Sequence, residues 1–177
     1  MKLAQNYLNS AEFEFRRYKG YGDRTFEQLQ EAHFFWTPNE FDNSIAIIIK
    51  HLSGNMRSRW INFLSEDGEK PWRNRENEFE RPPKSKKALL DLWEGGWSCL
   101  FNALDVLQPS NLDKTISIRN QELTLPEAIN RQLAHYASHV GQIVYIGKTI
   151  KGTEWISPTI PKGGSSEFNE TLMGQNS

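Results

Sequence analysis

The sequence predicts an all-α protein of four helices, and three observations support this prediction. Apolar residues recur three or four positions apart in four separate stretches, the spacing of a helix face packed on a core. Residues that favour a helix start precede three of these stretches. A single short segment alternates with the period of two that is typical of strands. The 177 residues suffice for one domain with its own core.

The first two helices are expected at residues 3–30 and 43–65. Pro38 interrupts the helical pattern between them because proline is unfavourable inside a helix. The second helix is expected to start at one of three consecutive residues that are good N-caps, namely Asp42, Asn43 and Ser44. Apolar residues then recur at helical spacing from Ile45 onward and form one face of this helix.

The third helix is expected to follow Pro82–Pro83, with Ser85 as its N-cap, and to end before Pro109. Its apolar residues keep the helical spacing throughout. Gly95–Gly96 lies inside this pattern although each glycine costs about 1 kcal/mol relative to alanine in a helix. Close approach of another helix or of a ligand would explain this pair.

A β-hairpin and the fourth helix complete the predicted fold. Residues 115–125 alternate around the polar pair Asn120–Gln121, which predicts a short hairpin without the usual glycine. Thr124-Leu-Pro-Glu127 has the form of a capping box and starts a helix at 125–150. Residues 153–177 are rich in Pro, Gly, Ser and Asn and are expected to form an extended tail of the same domain, 1–177.

The connection between the second and third helices, residues 66–84, is called the crossover. It has no periodic pattern, and loops of this length are either functional or cross between the ends of a bundle. The second and third helices are therefore expected to run parallel, and the second and fourth antiparallel. Trp72, Arg73 and Arg75 could form a lid or contact an anionic substrate; ordinary loop packing is the alternative.

Composition excludes several classes of function. A net charge of −1 argues against nucleic-acid binding. The longest apolar run, Ile45 to Ile49, is too short to span a bilayer, and no signal peptide is recognisable, so a cytoplasmic protein without a membrane partner is expected. The lone Cys99 excludes a multi-thiolate metal site, and its apolar neighbours predict a buried, inert thiol.

Three of the four histidines favour a metal site. His135 and His139 are one helical turn apart, so both rings lie on one face of the fourth helix. His51 lies near the middle of the antiparallel second helix, and at about 1.5 Å rise per residue its height differs from that of the pair by about 5 Å or less. The three rings can therefore converge. His33 is expected to be structural.

Three amides lie within one helical turn of these histidines: Asn55, Gln132 and Gln142. Each could fix the tautomer of a ring or orient a bound water. Each could equally form a purely structural hydrogen bond with a buried backbone or side-chain group nearby. The motif His135-Tyr-Ala-Ser-His139 lacks the glutamate of HExxH peptidases, which disfavours a peptidase with its base in that motif.

Long strings of the sequence are similar to a known superfamily. Residues 43–60, 67–75 and 130–145 resemble a bacterial branch, described only as a domain of unknown function, of the DinB-like metal-binding four-helix bundles. That superfamily includes bacillithiol S-transferases and mycothiol-dependent isomerases. The resemblance implies an up-down-down-up bundle, often a homodimer, in which His51, His135 and His139 bind a divalent ion.

Three functions remain open. The first is a metal-dependent enzyme, a thiol S-transferase or hydrolase, whose ion activates a thiol or water for a small-molecule substrate. Zinc or nickel is the expected ion, with a low-molecular-weight thiol as a possible cofactor. The second is a non-catalytic metal-binding or stress-response protein whose ion is mainly structural. The third is a helical interaction module with buried histidines.

Overall fold

The computed structural model describes residues 2–174 and shows a helical architecture with one small sheet. Its helices are α1 (Lys2–Glu27), α2 (Ile45–Trp60), α3 (Arg75–Glu78), α4 (Lys86–Asp105), α5 (Leu125–Lys151) and α6 (Ser165–Gly174). Strands β1 (Thr115–Ile118) and β2 (Gln121–Thr124) form an antiparallel hairpin. Short 3₁₀ turns occur at Glu31–Phe35, Pro109–Asn111 and Gly152–Glu154. Within the described residues, no helix has the length and apolar character needed to cross a membrane.

The predicted N-caps are confirmed. Ser44 accepts a hydrogen bond from the backbone N–H of Ile47 at the start of α2, and Ser85 does the same for Ala88 in α4. Thr124 forms both bonds of a capping box with Glu127 at the start of α5. These side chains satisfy backbone donors that have no partner in the first turn of a helix, and so they define where each helix begins.

Several predicted boundaries differ from the structure. The first helix, expected to reach residue 30, ends at Glu27, and the crossover, in which no helix was expected, contains α3. The helix expected to reach residue 65 ends at Trp60, and the chain turns at Asn62 with a φ of 50°. The tail expected to be extended forms α6 over Ser165–Gly174. Its Pro and Gly residues are concentrated before Ser165, which leaves a segment able to form a helix. Residues 175–177 of that predicted tail lie outside the described residues.

The four long helices pack around one core. α2 packs chiefly against α4, and α1 against α5, while further contacts join α2 to α5 and α1 to α4. A Cβ atom at Gly96 would lie 3.0 Å from the Cα of Ser53, so a larger residue would push α4 away from α2. The neighbouring Gly95 has no atom within 4 Å of such a Cβ. Close helix approach therefore explains Gly96 but not Gly95.

The hairpin is attached to the crossover by Asp67. Its turn residues Arg119 and Asn120 have φ values of 57° and 56°, a conformation that normally favours glycine. The Asp67 carboxylate accepts hydrogen bonds from the backbone N–H groups of Arg119 at 2.8 Å and Asn120 at 2.9 Å, and from the Ser117 hydroxyl. This carboxylate stabilises the turn from outside, which explains how the hairpin forms without the glycine.

Candidate metal site

Three histidine rings converge between α2 and α5. His51 Nε2 lies 3.3 Å from His135 Nε2, which lies 3.1 Å from His139 Nε2. One ligand atom from each of the three lies within 4.8 Å of the other two. Bonds of ~2.0–2.1 Å from three nitrogens to one zinc ion would place neighbouring nitrogens ~2.9–3.4 Å apart. The observed spacing therefore fits a shared ion.

The outer nitrogens of two of these rings have fixed partners. His51 Nδ1 lies 2.9 Å from Glu78 Oε2, and His139 Nδ1 lies 2.9 Å from Gln142 Oε1. Both partners are acceptors, so each Nδ1 carries the proton and each Nε2 has a free lone pair. His135 Nε2 contacts both of these lone pairs and has at most one proton to donate. A cation among the three nitrogens would satisfy them all.

Glu78 and Arg73 connect His51 to the crossover. Arg73 Nε and Nη2 donate to the two Glu78 carboxylate oxygens at 2.7 and 2.9 Å. Burial raises the pKa of Glu78, but the hydrogen bonds from His51 and Arg73 outweigh it, and the pKa lies below its ordinary value. Phe79 stacks on the His51 ring with centroids 4.7 Å apart. The crossover thus orients His51 from two sides.

The other two imidazoles are kept neutral. Burial lowers the pKa of His135 to about 3, and the neighbouring His139, His51, Arg59 and Arg73 act in the same direction. Burial also lowers the pKa of His139. Metal ligation requires the unprotonated imidazole. Both rings are therefore in the ligating form at neutral pH.

A cavity of about 410 Å³ opens on the three rings. Its wall contains, besides the histidines, two amides, one aromatic ring and five guanidinium groups, from Asn55, Gln132, Phe79, Arg59, Arg73, Arg75, Arg119 and Arg131. A site of this size accommodates a small molecule. Within the part of the chain that the structure describes, His51, His135 and His139 are the only grouping of metal-ligand side chains, and no fourth ligand joins them.

Comparison with known proteins identifies the family to which the chain belongs. The sequence profile of the family described as "Protein of unknown function (DUF1572)" matches residues 2–164. The chain belongs to this family. No protein of curated function matches the chain. The chain is also similar to a solved structure described as "Crystal structure of the conserved protein of locus from Enterococcus faecalis", with a TM-score of 0.57 and 16% identity over 86% of this chain and 99% of that chain. At this identity the similarity concerns the fold alone.

In this DUF1572 chain, the three predicted amides have different surroundings. Gln142 Oε1 lies 2.9 Å from His139 Nδ1. Asn55 lines the cavity, but its Oδ1 accepts a hydrogen bond from the buried Tyr136 hydroxyl, which in turn accepts one from Trp60 Nε1. Gln132 lines the cavity, and its buried Oε1 has no hydrogen-bond partner among the described residues. Of the three amides, only Gln142 therefore forms a hydrogen bond with a described histidine of the site.

The crossover contributes more to the site than the sequence indicated. Glu78 is not among the site residues that the sequence predicts. For Arg73 the sequence leaves open a functional role or ordinary loop packing, and in the structure Arg73 donates a hydrogen bond to Glu78. Trp72, the third residue considered for a lid, is 56% exposed and does not line the cavity. His33 lies outside the histidine cluster. It accepts a hydrogen bond from the backbone N–H of Gln30, which agrees with its expected structural role.

Proposed function

We propose that the chain is a divalent-metal-dependent enzyme in which His51, His135 and His139 hold the ion. The observation that carries this proposal is the convergence of three Nε2 atoms, at metal-ligand spacing, on the wall of a cavity. A structural zinc site normally has four protein ligands, whereas a catalytic site keeps a position open. Three ligands beside a cavity of about 410 Å³ favour the catalytic alternative.

The ion in this proposal is zinc or nickel, which imidazole ligands suit, and it would activate a thiol or a water molecule at neutral pH. Glu78 and Gln142 hold the rings of His51 and His139 in the orientation that directs each Nε2 toward the centre. The cavity admits a small-molecule substrate beside the ion. A thiol S-transferase with a low-molecular-weight thiol, or a hydrolase, is the reaction class that we propose.

We further propose that the four long helices form an up-down-down-up bundle of the DinB-like class. Two contacts support a common direction for α1 and α5: Tyr7 donates to the backbone oxygen of Pro126 near both starts, and Thr25 lies against Gly147 near both ends. The crossover, residues 66–84, then connects two parallel neighbours, α2 and α4. A cytoplasmic homodimer that binds neither nucleic acid nor membrane completes the proposal, and light scattering at the monomer mass would contradict the dimer.

Elemental analysis tests the metal site directly. Protein purified without chelators should contain about one divalent ion per chain, and the double variant His135→Ala/His139→Ala should lose most of it. His33→Ala, which removes the histidine outside the cluster, is the matched control and should keep the ion. Circular dichroism verifies that each variant is folded. Metal content that survives the double substitution would refute the site.

A second measurement separates catalysis from a structural ion. Metal-loaded protein is incubated with electrophiles and low-molecular-weight thiols, and with esters and amides as hydrolase substrates. Turnover that is lost in His135→Ala/His139→Ala supports the enzyme. Absence of any turnover, with a large fall in melting temperature when the ion is chelated, would instead identify a non-catalytic metal-binding protein.

A further inference from the structure

Five arginines from four parts of the chain line the cavity beside the three histidines. They are Arg59 at the end of α2, Arg73 in the crossover, Arg75 at the start of α3, Arg119 in the hairpin turn and Arg131 in α5. Among the described residues, no carboxylate lines this cavity. Because the chain as a whole carries a net charge of −1, so many guanidinium groups around one cavity are a local feature of the fold.

The carboxylates behind the wall do not neutralise these arginines fully. Glu69 lies 3.2 Å from Arg59 and 2.8 Å from Arg119. Glu78 pairs with Arg73, and Glu76 lies 3.4 Å from Arg75. Three carboxylates thus face five guanidinium groups, which leaves an excess of two positive charges. A divalent ion on neutral imidazoles would increase this excess.

Arg73 and Arg131 have hydrogen-bond donors that no described residue uses. Arg73 has a side chain that is 2% exposed, yet its Nη1 has no hydrogen-bond partner among the described residues, and the nearest carboxylate oxygen, of Glu69, is 3.7 Å away. The exposed Arg131 side chain makes no hydrogen bond or ion pair with any residue that the structure describes. It lies one turn before His135 on α5, so both side chains lie on the same helix face. Planar guanidinium groups bind carboxylate and phosphate oxygens in pairs.

We propose that the cavity binds the oxyanion group of a small molecule, a carboxylate or a phosphate, with Arg131 and Arg75 as the contacts that the ligand gains. This inference names the substrate class of the proposed enzyme, and in calling the ligand a substrate it rests on the proposed function. Binding of the anion itself requires no metal. Arg73 and Arg59 form the fixed base of the subsite, since both are buried and paired with Glu78 and Glu69. Arg75 packs over Phe79, 5.1 Å from the ring centroid.

Isothermal titration calorimetry on chelator-treated protein, at low ionic strength, tests the subsite without interference from a metal. The probes are inorganic phosphate and malonate. The variant Arg75→Ala/Arg131→Ala removes two exposed side chains and should fold normally. It should bind the preferred probe about tenfold or more weakly, because each contact is a charge-assisted hydrogen bond. Arg57→Ala, which removes an exposed arginine outside this cavity, is the matched control and should bind as the wild type does.

The outcomes are distinguishable. Tighter binding of phosphate by the wild type identifies a phosphoryl ligand, and tighter binding of malonate identifies a carboxylate. No binding by the wild type, or equal loss in Arg57→Ala and in the double arginine variant, would overturn the oxyanion subsite. Elemental analysis of the arginine variant should show its metal content unchanged. A failed metal proposal would instead appear as unchanged metal content in His135→Ala/His139→Ala, whose anion binding can be measured separately.

Discussion

The two walls of the site differ in how deeply the histidines and the groups that hold them are buried. On the side of α2 and the crossover, His51 is buried, and Glu78 and Arg73 hold its outer nitrogen in a buried network. On the α5 side, His135 and His139 are only half-buried, the exposed Gln142 holds His139 from outside, and Arg131 is exposed. One wall has the character of a fixed support, and the other is open to a ligand.

This difference has a physical reason. A buried carboxylate must be paired because an isolated buried charge is very unfavourable, so Glu78 requires Arg73 and His51 together. Gln142 and Arg131 on α5 are exposed, so they can exchange hydrogen bonds with water and need no such network. The difference predicts that loss of a supporting side chain on the first wall reduces both stability and metal binding, whereas loss of an exposed supporting side chain on the second reduces binding alone.

Removal of Glu78 should have the largest effect. Glu78→Ala leaves Arg73 buried without its main partner and should lower the free energy of unfolding by about 3–5 kcal/mol. It also frees the His51 ring, so metal affinity should fall about 10–100-fold. Urea unfolding and metal titration measure the two losses. Glu78→Gln, which retains an acceptor for His51, should lose less of both; equal stability of all three proteins would contradict the fixed-wall interpretation.

A pair of glycine substitutions compares the walls directly. A Cβ at Gly54 of α2 would overlap Glu78 Oε1, which the network prevents from moving freely, so Gly54→Ala should destabilise the protein by about 1–3 kcal/mol. Gly141 of α5 has no atom within 4 Å of its Cβ position, so Gly141→Ala should stabilise by up to about 1 kcal/mol. Thermal unfolding of both variants provides the comparison. Opposite signs are expected; two destabilised variants would show that the α5 wall is equally tightly packed.

Gln142→Ala should affect binding without affecting folding. The side chain is exposed, so the free energy of unfolding should change by less than about 0.5 kcal/mol. Loss of its contact with His139 Nδ1 should weaken metal binding about tenfold, the lower end for such supporting contacts. Competition with a chelator of known affinity measures this change. A large loss of stability would show that α5 is not the independent wall inferred here.

The smallest effect concerns Asp67, which attaches the hairpin to the crossover. Burial raises the pKa of its carboxyl group, but the hydrogen bonds from Ser117, Arg119 and Asn120 hold it well below the ordinary value near 3.8. A depressed pKa in the folded state means that the unfolded chain binds the proton more tightly. The stabilisation is therefore complete above the ordinary pKa and is lost as the pH falls below it.

Asp67→Asn lacks this titration. Its stability at neutral pH should be lower than that of the wild type, and the difference should shrink as the pH falls below the ordinary aspartate pKa. Chemical denaturation at a series of pH values measures the two curves. Curves that stay parallel down to the lowest pH would show that the carboxylate charge contributes nothing to the turn.

Much of the fold was predictable because its signals are local. The N-caps Ser44, Ser85 and Thr124 act within three residues of themselves, so their effect can be inferred from a short window of sequence. The end of α2 was placed too late because the apolar pattern continues past Trp60 to Phe63, which is buried in a turn. Periodicity indicates burial, and a buried residue need not be helical.

The sequence by itself determined, to within a few residues, where α2, α4 and α5 begin, because capping side chains act locally. It also determined which three histidines lie at compatible heights, because that follows from helical spacing. Only the tertiary structure decided what holds and surrounds these histidines. Glu78 is 27 positions from His51 in an aperiodic crossover. The five arginines come from four distant parts of the chain: α2, the crossover, the hairpin turn and α5. Such partners meet only because the chain folds back on itself, and no local spacing encodes that meeting.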